Sequence, residues 1–192
     1  MGEIRTVYRI VAAAALATAV SALGGLNFAE ASVPAPHLSI TDWRELPTPL
    51  PRPYAQDASQ VATNTEIDAA FQRARSSGKR VFIEFGGNWC GWCRVLTGVM
   101  ELPEVRAFVG THFEVVYVEV TSRKWEIDRN LQVIDRFHLQ NINSFPWVLI
   151  ASADGHILNS SADVTSGDNP TPQEMLNWLA KWAEEVPHAS QR

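Results

Sequence analysis

Cys90 and Cys93 are the only cysteines among 192 residues, and they stand together in "GGNWCGWCRVL". Two thiols fall short of a structural zinc site, which takes about four ligands. A cross-link across so short a loop also gains little from closing it. The spacing therefore points to reversible chemistry, a dithiol that closes to a disulfide and reopens. A thiolate is the attacking species, and an ordinary thiol with a pKa near 8.5 is mostly protonated at neutral pH. A helix starting at Cys90 would supply backbone N–H donors and the positive end of its dipole. Cys93, one turn along, should be more buried. Cys90 is then the attacking sulfur and Cys93 the resolving one, with Gly91 letting the backbone turn tightly. Trp89 and Trp92 flank Cys90 with flat apolar surface suited to a peptide. Two thiolates also suit Cu(I), but no histidine or methionine ligand stands near them, and neither a metal nor a cofactor is assigned.

The elements around the dithiol can be read from periodicity. "TNTEIDAAFQRARSSGK" predicts a helix, with a Thr63–Glu66 capping box, apolar Ile67, Ala70, Phe71 and Ala74, and Gly78 as its stop. "RVFIEFGG" predicts a buried strand that runs straight into the dithiol. Glu84 interrupts that strand, where an ionised carboxylate is expensive to bury; it is either a functional acid or a charge protecting a sheet edge. "RVLTGVMELPEVRAFVGTHF" predicts helix broken near Pro103, and "EVVYVEV" a second strand. "DRNLQVIDRFHL" predicts a helix with Leu131, Ile134 and Phe137 on one side. "FPWVLIASADGHILNSS" predicts a hairpin turning at Asp154-Gly155. The last helix has Thr171 as cap, Pro172 at its first position and Glu174 closing a capping box. Its Met175, Trp178, Leu179 and Trp182 form a core-facing stripe. The order implies an α/β fold, a mixed sheet parallel in its first half with helices on both faces.

This order, with W-C-G-W-C after a buried strand and a proline opening the hairpin, resembles the thioredoxin superfamily. "NWCGWC" and the later "DRN" are similar to its exported thioredoxin-like branch. The resemblance implies a thioredoxin-like fold and a thiol:disulfide oxidoreductase working through Cys90 and Cys93. It places Glu84 where the superfamily carries a buried acid, six residues before the first cysteine, and so implies a proton acceptor for the resolving thiol; burial should raise its pKa towards the working range. It places Pro146 where the superfamily carries a cis-proline beside the dithiol, with Phe145 offering backbone and an apolar lip to substrate. Trp92 replaces the proline of ordinary thioredoxin and is not the histidine of strongly oxidising relatives, which favours a reductant. Arg123, Lys124 and Trp125 should leave the second strand at the dithiol's rim, as partner contacts or, in the plainer reading, as a solvated loop. His138 and His156 read as ordinary histidines.

The front of the chain reads as an address. Arg5 and Arg9 precede an uncharged apolar run from Ile10 to Leu26, and Ala29-x-Ala31 suits a signal peptidase, so residues 1–31 are expected to be a signal peptide cut after Ala31. An uncleaved anchor is the alternative, disfavoured because alanine drives insertion weakly. Residues 32–60 hold six of the eleven prolines and read as an arm or linker, ordered in part if Trp43 and Leu46 find a groove. Residues 61–188 form the expected thioredoxin-like domain. Export to the periplasm or beyond permits disulfide chemistry. Protein thiols and disulfides are the expected substrates, with a membrane-embedded thiol electron donor upstream and no stable membrane insertion after cleavage. A net charge of -5 gives no reason to expect nucleic acid. The alternatives are a disulfide isomerase and a non-catalytic protein-binding module.

Overall fold

A computed structural model describes residues 33–56, 58–121 and 126–183. The expected signal peptide and its cleavage point lie outside these residues. Strand β1 (Arg80–Gly86) sits inside a four-stranded sheet. It pairs in parallel with β2 (Phe113–Glu119) and antiparallel with β3 (Trp147–Ala151), which pairs antiparallel with β4 (Ile157–Ser161). The order is β2-β1-β3-β4, so both edges of β1 are hydrogen-bonded, and Glu84 cannot be an edge-protecting charge.

Side chains alternate across a strand, and β1 therefore feeds two cores. Val81, Ile83 and Phe85 join Ile67, Ala70, Phe71 and Ala74 of α1 (Gln60–Ser77) and Val133 of α4 (Leu131–Arg136). Phe82 points the other way. It joins Val95, Leu96 and Val99 of α2 (Gly91–Met100), Val105 and Phe108 of α3 (Pro103–His112), and Met175, Leu176 and Leu179 of α5 (Pro172–Lys181). Helices thus cover both faces of the mixed sheet, as the element order implies. Glu84 and Gly86 share the register of Phe82, which aims them at the side where α2 begins.

Local signals explain most element ends. Gly78 closes α1 in the left-handed region at φ 72°, and Thr171 and Glu174 form the predicted capping box on α5. Two expectations are corrected. Helix α1 starts one turn before Thr63, because Ser59 accepts the Ala62 N–H as N-cap; Thr63 sits inside the first turn and donates to the Ser59 carbonyl. In α4, Leu131 is 48% exposed while Val133 is fully buried. Asn130 causes this: its left-handed backbone starts the helix, and its side chain donates to the Glu119 carbonyl at 2.7 Å, fixing the helix's rotation.

The proline-rich segment packs along the domain. Leu38 and Leu46 are buried among α2, α3 and α5 residues, and Gly98 leaves the space that Leu46 fills. Gln173 of α5 donates to the Pro36 carbonyl and accepts the Leu38 N–H, both at 3.0 Å. The Arg94 guanidinium donates to the Leu50 and Pro51 carbonyls at 2.8 and 3.0 Å. Such contacts replace the donors that proline removes, so an extended chain without internal hydrogen bonds is held by its neighbours. The Leu46→Ala variant should lose about 2–4 kcal/mol of stability. Urea unfolding checks this, since a leucine in a free spacer would shift stability by less than about 0.5 kcal/mol.

Candidate active site

The dithiol lies where β1 ends and α2 begins. A disulfide joins Cys90 and Cys93, whose Cα atoms are 5.3 Å apart. Cys90 is the N-cap of α2, and its Sγ accepts the Cys93 backbone N–H at 3.1 Å. A cap normally supplies an oxygen to these unpaired donors; here sulfur takes that place, where negative charge is favoured. Cys90 is 5% exposed and Cys93 fully buried. One sulfur is thus at the rim and the other behind it. Gly91 is exposed, and nothing stands within 4 Å of the position a Cβ would take. The turn does not need its bareness, contrary to the sequence expectation, because Cys90 makes the turn as an extended N-cap residue.

A cleft of about 490 Å³ opens beside Cys90. Trp89, Trp92 and Phe145 line it, together with Trp43 and Leu50 from the proline-rich segment. The Trp43 and Trp92 rings meet edge to face at 5.7 Å, and those of Trp89 and Phe145 at 5.9 Å. Trp89 also donates its indole N–H to the Thr121 carbonyl at 3.2 Å. These contacts hold the aromatic walls in place, so the cleft is a surface that would need little ordering on binding. The Phe145–Pro146 peptide bond is cis, and both residues are buried at the start of β3. Phe145 reaches the cleft wall. Arg123, Lys124 and Trp125 lie outside the described residues.

Behind the sulfurs lies the acid. Glu84 is fully buried, and burial pushes its carboxyl up to about 8, opposed by one hydrogen bond from Tyr54. The Tyr54 hydroxyl donates to Glu84 Oε1 at 2.8 Å, whereas Oε2 accepts no hydrogen bond among the described residues. An ionised carboxylate has acceptor sites for several donors. With one donor and no water-like surroundings, the neutral acid is favoured well above the usual carboxylate range. Burial, and then the charge of Glu84, likewise pushes the Tyr54 phenol far up, so it remains a proton donor.

Tyr54, Trp43, Leu50 and Asn88 are the site residues that sequence reasoning missed. Asn88 accepts the Tyr54 backbone N–H at 3.2 Å and donates to its carbonyl at 2.7 Å, a two-point clasp on one residue. Arg129 donates to the Gln56 carbonyl and pairs with Glu119 at 2.9 Å. The asparagine of "NWC" and the arginine of "DRN" thus both anchor the proline-rich segment. A tyrosine at the end of a proline run carries no local signal of this role. The available hint was an asparagine directly before the tryptophan, in a loop where nothing local needed it.

Comparison with known proteins agrees with this geometry. Residues 62–153 match the thioredoxin-like family model. The thioredoxin of Alicyclobacillus acidocaldarius subsp. acidocaldarius is 33% identical over 81 residues, covering 42% of this chain and 69% of that protein. An H-type thioredoxin of Fagopyrum esculentum is 44% identical over 45 residues, 22% of this chain and 39% of its own length. In three dimensions, the disulphide isomerase of Xylella fastidiosa Temecula1 superposes with a TM-score of 0.57 at 24% identity, over 69% of this chain and 97% of that one. At that identity the likeness bears on the fold alone.

The raised acid links stability to pH. An unfolded glutamate ionises near 4.3, whereas the folded Glu84 holds its proton to about 8. Between those values the folded state binds the extra proton, so stability is greatest at the acid end and falls as pH rises. The slope should approach about 1.4 kcal/mol per pH unit. Urea denaturation of the oxidised protein across this window should show the decline, and the Glu84→Gln variant should flatten it.

Proposed function

The chain belongs to the thioredoxin family, and from that premise we propose that it is an exported enzyme that reduces disulfides in other proteins. It is a thiol:disulfide oxidoreductase, and the observation that carries this is the Cys90–Cys93 disulfide at the mouth of an apolar cleft. In the reduced enzyme, Cys90 Sγ attacks a client disulfide. One client sulfur leaves as thiolate, and the other stays bonded to Cys90. Cys93 then loses its proton and attacks Cys90 Sγ, forming the internal disulfide and releasing the second client thiolate. Two electrons pass from enzyme to client. Glu84, the buried base on this side of the sheet, takes the Cys93 proton.

The reductant direction rests on the electrostatics behind the sulfurs. Where the buried Glu84 carboxyl ionises, at and above about pH 8, it opposes negative charge on the neighbouring dithiol. That destabilises the reduced form and makes electron donation easier, the reverse of a strong oxidant, whose reduced form is stabilised. Export rests on the arginine-led apolar start of the chain and the Ala29-x-Ala31 site. No helix among the described residues is long and apolar enough to cross a membrane. Returning the enzyme to its dithiol outside the cytoplasm requires a membrane-embedded thiol donor. The aromatic cleft suits clients whose cysteine is flanked by apolar residues.

Trapping tests the reading. The Cys93→Ala variant should accumulate disulfide-linked adducts with oxidised insulin through Cys90, visible on non-reducing gels, and Cys90→Ala should form none. A module that merely binds proteins would give no covalent adduct with either variant. Equilibration in glutathione buffers should place the potential near about -270 mV, and a value near about -120 mV would overturn the reductant direction.

A further inference from the structure

The proline-rich segment contributes to the chemistry as well as to the fold. Tyr54 is 3% exposed, and its hydroxyl donates to Glu84 Oε1 at 2.8 Å. The resolving sulfur borders the same space. A Cβ built on Gly86 would stand 2.6 Å from Cys93 Sγ and 2.6 Å from Tyr54 Oη. The sulfur and the phenol therefore share the small space that a missing side chain leaves, one residue pair along the strand from Glu84. Building on the oxidoreductase reading, we propose that Tyr54 couples Glu84 to Cys93, its hydroxyl being the group through which the carboxyl takes and returns the resolving thiol's proton.

The transfer balances without a further reactant. As Cys93 Sγ attacks Cys90 Sγ, its proton passes to Tyr54 Oη while the Tyr54 hydroxyl proton passes to Glu84 Oε1. The bond between Cys90 and the client sulfur breaks, and its electron pair leaves on the client. Tyr54 ends as it began, a neutral phenol, and Glu84, a carboxylate in the form of the enzyme that reacts, ends as a neutral acid. Tyrosinate is never formed, in keeping with burial and Glu84 holding the phenol's pKa far up. Near pH 8 the exchange is close to balanced, since an ordinary thiol titrates near 8.5 and Glu84 near 8. The other titratable groups facing Tyr54 are Tyr117 and Glu119 of β2; the Tyr117 ring lies edge-on at 5.7 Å. Burial pushes the Tyr117 phenol up as well, so it stays neutral. Glu119 is paired with Arg129. Asn88 fixes Tyr54 at its backbone, and the buried ring packs edge-on against Tyr117.

Ellman's reagent separates the two sulfur attacks. Mixing it with the reduced protein releases one chromogenic thiolate when Cys90 attacks and a second when Cys93 resolves the adduct. Tyr54→Phe keeps the ring and removes the relay. At pH 7 it should slow the second phase at least about tenfold, within the range of general acid–base effects, and leave the first unchanged. The gap should close above about pH 8.5, where the thiol ionises without help. An unchanged second phase would overturn the proposal, as would equal slowing of both phases at every pH, which is what lost packing would do. A second measurement needs no variant. In the wild-type protein, the second-phase rate against deuterium fraction should curve, because two protons move together; a straight line overturns the relay. Wild-type protein that releases one thiolate and no second would overturn the oxidoreductase reading along with it. Two intact phases indifferent to Tyr54 would overturn the relay alone.

Discussion

A carboxyl with no access to water, set in a strand paired on both sides, is the constraint around which this protein is arranged. Glu84 has nowhere to send its charge except along β1 towards the sulfurs or across to Tyr54. An isolated ionised group in such a place would cost far more than a domain's margin of stability, so it stays largely neutral instead. Its neighbours follow from that. Gly86 must be bare, because any side chain would collide with both Cys93 and Tyr54. Tyr54 must be buried, because it is the donor that reaches Oε1. The segment carrying Tyr54 must then be pinned, which Asn88, Arg94 and Arg129 do through its backbone carbonyls and one N–H.

The mixed sheet, the helices on both faces and the dithiol at the start of α2 were all legible in the sequence, because each has a local cause. Alternating or continuous apolar runs mark strands, Thr171-Pro172 and Gly78 mark helix ends, and a cysteine pair at helical spacing after a buried strand marks its own position. Glu84 was legible by contrast, as one acid in an apolar run. The misreadings share a different cause. Ser59 rather than Thr63 caps α1, and Val133 rather than Leu131 faces the core, because a neighbour outside each helix sets where it starts and how it is rotated. Periodicity alone does not hold that information.

The proline-rich segment was the least legible part, for a related reason. Proline reports what a backbone cannot do, namely continue a helix or donate to a ladder. It says nothing about which surface the chain lies on. The residues that place this segment are distant in sequence: Gln173 in α5, Arg94 in α2, Asn88 in the dithiol loop. Each would read alone as an ordinary polar surface residue.

The same segment touches the dithiol from two sides. Trp43 and Leu50 form part of the cleft wall in front of Cys90, while Tyr54 lies behind with Glu84 and the space next to Cys93. Trp43 stands eleven positions before Tyr54, and four of the positions between them are prolines, which narrow the conformations open to the chain. The wall beside Cys90 and the residue that holds the buried acid therefore belong to one segment. Substrate recognition and proton handling, which the strand and helix alone would keep on opposite sides of the sulfurs, are thereby joined in one stretch of chain.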